Sequence, residues 1–300
     1  MLYERIFPRW RPRDEFRPRG RSLSGAALRV EWLGTAGFVI RTETTTLLID
    51  PFLSRPSLLR TGFTRLQPSA PSWLPERVDA VLCGHSHYDH LLDAPGIAAK
   101  TKAKLCGSRT TCAFGRAAAV AEDRLVEVPA TGRVFEIGDV TVRFVPSLHG
   151  RLARAWVPFP GEVPRAPVAP GRVWHYRMGG AFGIHLQTKG ASLYHNGSAD
   201  LVDAELAGLS ADVLVIGLAG RKATRDYLGR LTTALSPKLI VPTHHDAFFA
   251  PLERGVHLLP GIDLDGFSRE AAGSARVMTP DYRELLAIPA GDAAGSVFVS

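Results

Sequence analysis

The sequence predicts an α/β layered fold whose sheets are covered on the outside by helices, and three observations carry that prediction. Short β-rich runs alternate with helical stretches along the chain. Strand-like runs fall in both halves, with helices between them. The 300 residues are 45% hydrophobic and 22% charged, enough for a sizeable core in one large domain or two modest ones.

Residues 1–24 read as a basic arm ahead of a domain at 25–300. Seven arginines (Arg5, Arg9, Arg11, Arg13, Arg17, Arg19, Arg21) stand there against Glu4, Asp14 and Glu15, so the arm carries +4 of the net +7. Such an arm could touch nucleic acid or an anionic membrane surface; the alternative is a solvated arm lying over the domain. No apolar run approaches the roughly 20 residues that span a bilayer, and Arg and Pro interrupt any signal-peptide core. A cytoplasmic location is expected. Three cysteines, Cys83, Cys106 and Cys112, cannot all pair, which suits free thiols in a reducing compartment.

The Val, Ile, Leu and Thr content of 28–33, 37–41 and 45–49, with short breaks at 34–35 and 42–44, predicts three successive strands joined as hairpins. Residues 51–77 hold several prolines and little periodicity and read as a long loop. The apolar run 78–83, bounded by charge and by Gly84, has the pattern of a buried strand. Asp93 is placed to cap a helix running towards Lys100, with Pro95 in its first turn. Residues 109–120 read as a helix and 140–145 as a strand. The stretch 150–180, rich in Pro, Arg and aromatics, reads as an inserted loop. Strands at 182–188 and 192–195 follow around Lys189–Gly190. Helix 202–208, strand 212–216, helix 224–234 and strand 238–242 complete the pattern.

The informative segment is Cys83-Gly84-His85-Ser86-His87-Tyr88-Asp89-His90, directly after a buried strand, where open α/β sheets place their binding sites. In extended backbone, residues i and i+2 point the same way, so His85 and His87 are able to grip one ion together. Asp89 and His90 follow a turn of the chain and are placed to face a second ion. Imidazole and carboxylate donors suit Zn²⁺, Mn²⁺ or Fe²⁺, and the lack of a convincing Cys ligand argues against a closed structural zinc site. Histidine is costly to bury unpaired, so packing is a poor explanation for three histidines and an aspartate within six residues.

His-x-His-x-Asp-His after a buried strand resembles the signature of the metallo-β-lactamase superfamily. Leu33-Gly34-Thr35-Ala36-Gly37 followed by Leu48-Ile49-Asp50-Pro51 is similar to that family's opening hairpin. Pro146-Ser147-Leu148-His149-Gly150 and Pro242-Thr243-His244 match its two later metal histidines, each at a strand end. The resemblance covers roughly 28–250. It implies a four-layer αββα sandwich with two divalent ions, zinc or else manganese or iron. His85, His87 and His149 would hold one ion; Asp89, His90 and His244 the other. A carboxylate normally bridges them, and here Ser198 stands where that aspartate is expected. Asp200, two residues on, is the substitute ligand, or else a cap for the helix near Val202; without its bridge one ion suffices. Asp50 is placed to orient a ligand histidine through its second ring nitrogen. His245 diverges from His244, His195 is a candidate outer partner, and His175, His185 and His257 are unrelated to the site.

The resemblance implies a hydrolase in which a metal-bound hydroxide attacks carbonyl carbon or phosphorus and Asp89 takes or passes a proton. Pro242-Thr243-His244-His245-Asp246-Ala247-Phe248-Phe249 is similar to the branch of ascorbate-phosphate lactonases and N-acyl-phosphatidylethanolamine phospholipase-D-type enzymes. A phosphodiester or a lactone is therefore the expected substrate. In the 151–177 loop, Arg151, Arg154, Arg165, Arg172 and Arg177 with Trp156, Phe159, Trp174 and Tyr176 suit a small or lipid-like anionic substrate; an ordinary surface loop is the alternative. Two other classes stand beside this one. A nuclease of the same fold lacks an interleaved basic and aromatic surface, so no nucleic-acid partner is expected. A non-catalytic metal-binding scaffold has Ser198 as its only support.

Overall fold

A computed structural model describes residues 2–17, 25–69, 73–152, 156–163, 165, 170–291 and 298–299. The first half supplies the short helices α1 (Leu2–Ile6) and α2 (Leu58–Phe63) and the strands β1 (Ala26–Gly34), β2 (Gly37–Arg41), β3 (Thr46–Ile49), β4 (Ala80–Leu82), β5 (Lys104–Gly107) and β6 (Leu125–Glu127). The second supplies β7 (Arg133–Ile137), β8 (Val140–Pro146), β9 (Phe182–Gln187), β10 (Ser192–Asn196), β11 (Val213–Gly217), β12 (Leu239–Thr243) and β13 (Arg276–Val277). The chain then returns with β14 (Leu285–Pro289) and β15 (Phe298–Val299) to the first sheet, in the order β15-β14-β1-β2-β3-β4-β5-β6. The second sheet runs β13-β12-β11-β10-β9-β8-β7. Both are mixed: β3 to β6 are parallel, as are β10 to β13, while the remaining neighbours run antiparallel.

The period-2 alternation of strand side chains explains the layers. Leu28, Val30, Trp32, Phe38, Ile40, Leu47 and Ile49 pack inward on Val142, Phe144, Ile184, Val213, Val215 and Val241 of the facing sheet. Their strand neighbours Leu33, Val39, Leu48 and Val81 face the other way, into a layer shared with the helices α3 (Tyr88–Leu91), α4 (Ala94–Thr101) and α5 (Arg109–Ala117). On the far side Leu214, Ile216 and Ile240 meet α6 (Tyr227–Leu235) and α7 (Leu264–Ala271). The result is the αββα sandwich. Central strands bury both faces, which is why they read as continuous apolar runs. Fully buried Leu231 and Leu235 pin α6 to its sheet, each contributing about 1.5–3 kcal/mol.

Several elements differ from expectation. The 51–77 stretch holds a short helix at Leu58–Phe63, and the helix expected at 202–208 is only a 3₁₀ turn at Asp203–Leu206. The helix expected from 224 starts at Tyr227, after Asp226 takes a left-handed φ of 46°. Asp93 makes no side-chain cap to α4. Its carboxylate instead accepts from Leu53 N at 2.7 Å and Ser54 N at 2.8 Å, so it staples the loop after β3.

At the N-terminus, a short helix (Leu2–Ile6) precedes chain that lies against the domain. Trp10 N donates to Val256 O and Leu258 N to Pro8 O, both at 2.9 Å; Arg13 pairs with Asp265 at 2.6 Å, and Phe16 is buried. Arg19 and Arg21 lie outside the described residues. Cys83, Cys106 and Cys112 are free and buried. Among the described residues no helix is long and apolar enough to cross a membrane.

Candidate metal centre

The C-terminal ends of β3, β4, β8, β10 and β12 lie along one edge of the sandwich, and each hands the chain to a turn that carries a polar side chain. His85 and His87 follow β4, with Asp89 and His90 in the single turn of α3. His149 follows β8 and His244 follows β12. Two groups result: His85, His87 and His149, and Asp89, His90 and His244, with ligand atoms in each within 4.8 Å of one another. Ring centroids in the first group form a near-equilateral triangle of 4.8 Å sides. His85 lies 3.8 Å from His90 by the same measure, so the groups adjoin.

The protein fixes one nitrogen of most of these rings. His87 Nε2 donates to Pro158 O at 2.8 Å, and His149 Nδ1 to Gly150 O at 2.7 Å. His90 Nδ1 donates to Asp50 Oδ2 at 2.8 Å, while Asp50 Oδ1 accepts from Gly84 N at 2.7 Å. The other ring nitrogen is thereby left for the cluster. His85 Nε2 and His244 Nδ1 are buried with no hydrogen-bond partner among the described residues, and His244 Nε2 lies 3.3 Å from Asp89 Oδ2.

Electrostatics keep the first group neutral. Burial, reinforced by the neighbouring histidines, pushes His85 well below the ordinary imidazole value and His149 down to about 3. His87 is lowered by burial as well. Burial alone would raise Asp89, yet His90, His244 and His87 outweigh it and hold the carboxyl well below the usual carboxylate range. Burial lowers His90, but Asp50 and Asp89 more than reverse this. The neutral imidazoles of the first group and the ionised Asp89 are the forms that bind a cation, whereas His90 gives up a proton to do so. Orphaned buried nitrogens, ring tautomers set from behind and this donor set together fit a divalent metal.

The backbone is strained here. Thr35, Asp50, Arg55, Ala199 and His244 all have positive φ, between 41° and 58°. Such residues cost about 1–3 kcal/mol each and persist only where surrounding contacts enforce them. One enforcing device went unseen in the sequence. Arg55, 4% exposed, pairs at 2.5 Å with fully buried Asp246 and also donates to Ala250 O at 2.7 Å and Ala247 O at 3.0 Å. Asp246 in turn accepts from Thr35 N at 2.8 Å, and Thr35 O accepts from His244 N at 2.8 Å. Gly34 is required beside this pair, because at its φ of 90° a Cβ would sit 2.6 Å from Arg55 Nη1.

Asp200 is a different matter. Left-handed Ala199 turns the chain before it, and the Asp200 carboxylate accepts from Leu201 N at 2.9 Å and acts on Tyr227 and Arg230. It joins neither ligand group, and it caps no helix. Ser198 does line the cavity over the groups, with its Oγ donating to Leu148 O at 2.9 Å. His245 points away into the core, stacked on Trp32 at 4.8 Å. His195 donates to Ala36 O at 2.8 Å. His185 donates to Ser210 O at 2.9 Å, His257 bonds Phe7 O at 3.0 Å, and His175 accepts from Arg172 N.

That cavity, of ≈ 480 Å³, reaches from His87, Asp89, His149 and His244 to walls of Trp156, Phe159, Phe248 and Phe249. Among the described residues, no arginine of the inserted loop lines it. Arg172 donates to Phe63 O and covers Trp174, and Arg177 donates to Pro160 O. Arg154 lies outside the described residues. Tyr176 stacks on Phe114 at 4.5 Å in the outer layer.

Two face-packed mixed sheets under helices, with a histidine and aspartate cluster along one strand-end edge, define a protein of the metallo-β-lactamase fold. A family model described as the β-lactamase superfamily domain matches residues 29–244, and the chain belongs to that superfamily. A UPF0173 metal-dependent hydrolase of Anaeromyxobacter dehalogenans is 28% identical over 229 residues, 73% of this chain and 75% of the relative. Among solved structures, Igni18, a metallo hydrolase of Ignicoccus hospitalis, aligns with a TM-score of 0.58 at 19% identity over 86% of this chain and 97% of its own. CmlA, a diiron β-hydroxylase from Streptomyces venezuelae, aligns at 0.55 and 17% identity over 87% of this chain and 54% of its own. One fold thus carries different chemistries, and function must be argued from the site.

Proposed function

We propose that this chain is a metal-dependent hydrolase whose reaction takes place at the mouth of the two ligand groups, with a phosphodiester or a lactone as substrate. The observation that supports this most strongly is the pair of adjoining groups, His85–His87–His149 and Asp89–His90–His244, open to one cavity. The hydrolase name of the 28% identical relative supports the same reading. Zinc, manganese or iron suits the donor set, with His85, His87 and His149 holding the first ion and Asp89, His90 and His244 the second. With Asp200 outside both groups, Asp89 is the one carboxylate in either, so the second position is the weaker.

Bound divalent metal supplies Lewis acidity and lowers the pKa of water towards neutrality. The chain does the rest. Pro158 O, Gly150 O and Asp50 hold His87, His149 and His90 in single ring orientations. Asp89, ionised and at the cavity wall, takes or passes the proton of the attacking water. The aromatic walls exclude bulk water and strengthen every charge interaction inside.

Turnover of bis(p-nitrophenyl) phosphate and of a simple lactone, with and without a chelator, tests this reading. Hydrolysis of at least one, abolished by chelation and by His87→Ala, is expected. No hydrolysis of either class by metal-loaded protein would overturn it.

A further inference from the structure

A second cavity adjoins the one over the ligand groups. Leu152, Gly220, Pro260 and Ile262 line both, the second having a volume of ≈ 440 Å³. Their characters differ. The first has aromatic and aliphatic walls, and among the described residues its only ionisable side chains besides Tyr88 are Asp89 and the three histidines His87, His149 and His244. The second is bounded by Arg151, Arg221 and Lys222. Arg221 is held in place by Glu270 at 2.8 Å and by the Phe267 ring 4.7 Å away. Lys222 donates one hydrogen to Gly261 O at 2.9 Å and keeps two for a ligand. Asp263, the acid in that lining, already accepts from Gly266 N at the start of α7. Three cations against Asp263 and Glu270 leave the second cavity positive.

We infer that the substrate is amphiphilic in a particular order: the bond to be cleaved, then an apolar segment, then an anionic group seated against Arg151 and Lys222. This rests on the hydrolase reading of the same site and names its substrate class. The apolar segment is selected by the walls, since each buried methylene is worth about a factor of four in affinity. The terminal anion is selected by charge complementarity, and a cation at a solvent-facing rim gives about 1.4- to fivefold. A substrate whose only charge lies at the scissile bond meets the ligand groups, leaves Arg151 and Lys222 without a partner anion, and gains nothing from the second cavity.

Calorimetric binding to the metal-loaded protein separates these cases without turnover. The probes are α,ω-dicarboxylates from hexanedioate to dodecanedioate, each against the monocarboxylate of equal length. Both members carry one carboxylate for the metal centre, and only the first carries another for the second cavity. Above a threshold length the dicarboxylate is expected to bind about two- to fivefold more tightly. Arg151→Ala combined with Lys222→Ala should erase that advantage and leave monocarboxylate affinity unchanged. Monocarboxylates binding as well or better at every length, or a dicarboxylate preference that survives the double variant, would overturn the inference. Those outcomes leave the chelator-sensitive hydrolysis untouched, and loss of that hydrolysis leaves the binding comparison readable.

Discussion

Replacing Arg55 with Met removes the cation from a site that sequence alone did not mark. In the folded chain its guanidinium meets Asp246 at 2.5 Å, with both side chains out of solvent, and bonds the carbonyls of Ala247 and Ala250. Burial would raise the Asp246 carboxyl, but Arg55 and His245 outweigh it, so Asp246 is ionised and needs its partner. After Arg55→Met, of the bonds described here the Thr35 N–H at 2.8 Å still faces that charge. Removing one member of a buried pair costs about 3–5 kcal/mol, a large share of the roughly 5–15 kcal/mol that holds a domain together. Because Thr35 also receives His244 N, and Phe248 and Phe249 lie on the tethered segment, the second ligand group loosens with it. Urea unfolding measures the loss, and the Arg55→Met/Asp246→Asn double variant should recover at least about 1.5 kcal/mol of it, since the neutral amide still accepts from Thr35 N. A single-variant loss below about 1 kcal/mol, or strict additivity in the double variant, would refute this reasoning.

Three further outcomes follow from the same geometry. His245, fully buried with neither ring nitrogen bonded among the described residues, is held neutral by burial, its value lowered from 6.5 to about 4. Between those values the unfolded chain binds the proton, so stability falls as pH drops from 6.5 towards 4, by about 3 kcal/mol; His245→Phe should flatten that slope in urea midpoints taken across the window. Asp50→Asn removes the charge behind His90 and should weaken metal binding at the second position about ten- to hundredfold in a metal titration, with unchanged affinity counting against the tether. Ser198→Asp adds a carboxylate to the cavity beside both ligand groups and should tighten the second ion in the same titration; no change would mean that position 198 does not face it.

The turns that carry the clustered histidines after β4 and β12 were legible because each follows a strand that buries both faces, and such strands are unmistakable apolar runs. Val81 and its neighbours led straight to His85, and Leu239–Thr243 to His244. Asp50 was also readable, as a carboxylate at a strand end within reach of a histidine. Asp200 lies outside both groups, and proximity in sequence does not show the left-handed Ala199, φ 58°, that turns the chain between it and Ser198. The strands β5 and β6 went unread because Lys104 and Glu127 break short runs of four and three residues, whereas β4 lies within the longer run 78–83. Arg55 and Asp246 are 191 residues apart, and nothing local distinguishes a buried ion pair from two solvated charges. Pro158 O, which orients His87, is a backbone atom in an irregular loop and leaves no trace in residue type.

Metal content bears most directly on the whole reading. Elemental analysis of protein purified without added metal, before and after zinc or manganese is supplied, counts the ions that the two ligand groups hold. Close to two equivalents at saturation, the second bound more weakly, with a clear reduction in His87→Ala, is the expected result. No bound metal after loading would contradict the centre proposed at His85, His87, His149, Asp89, His90 and His244, and the hydrolase reading would go with it.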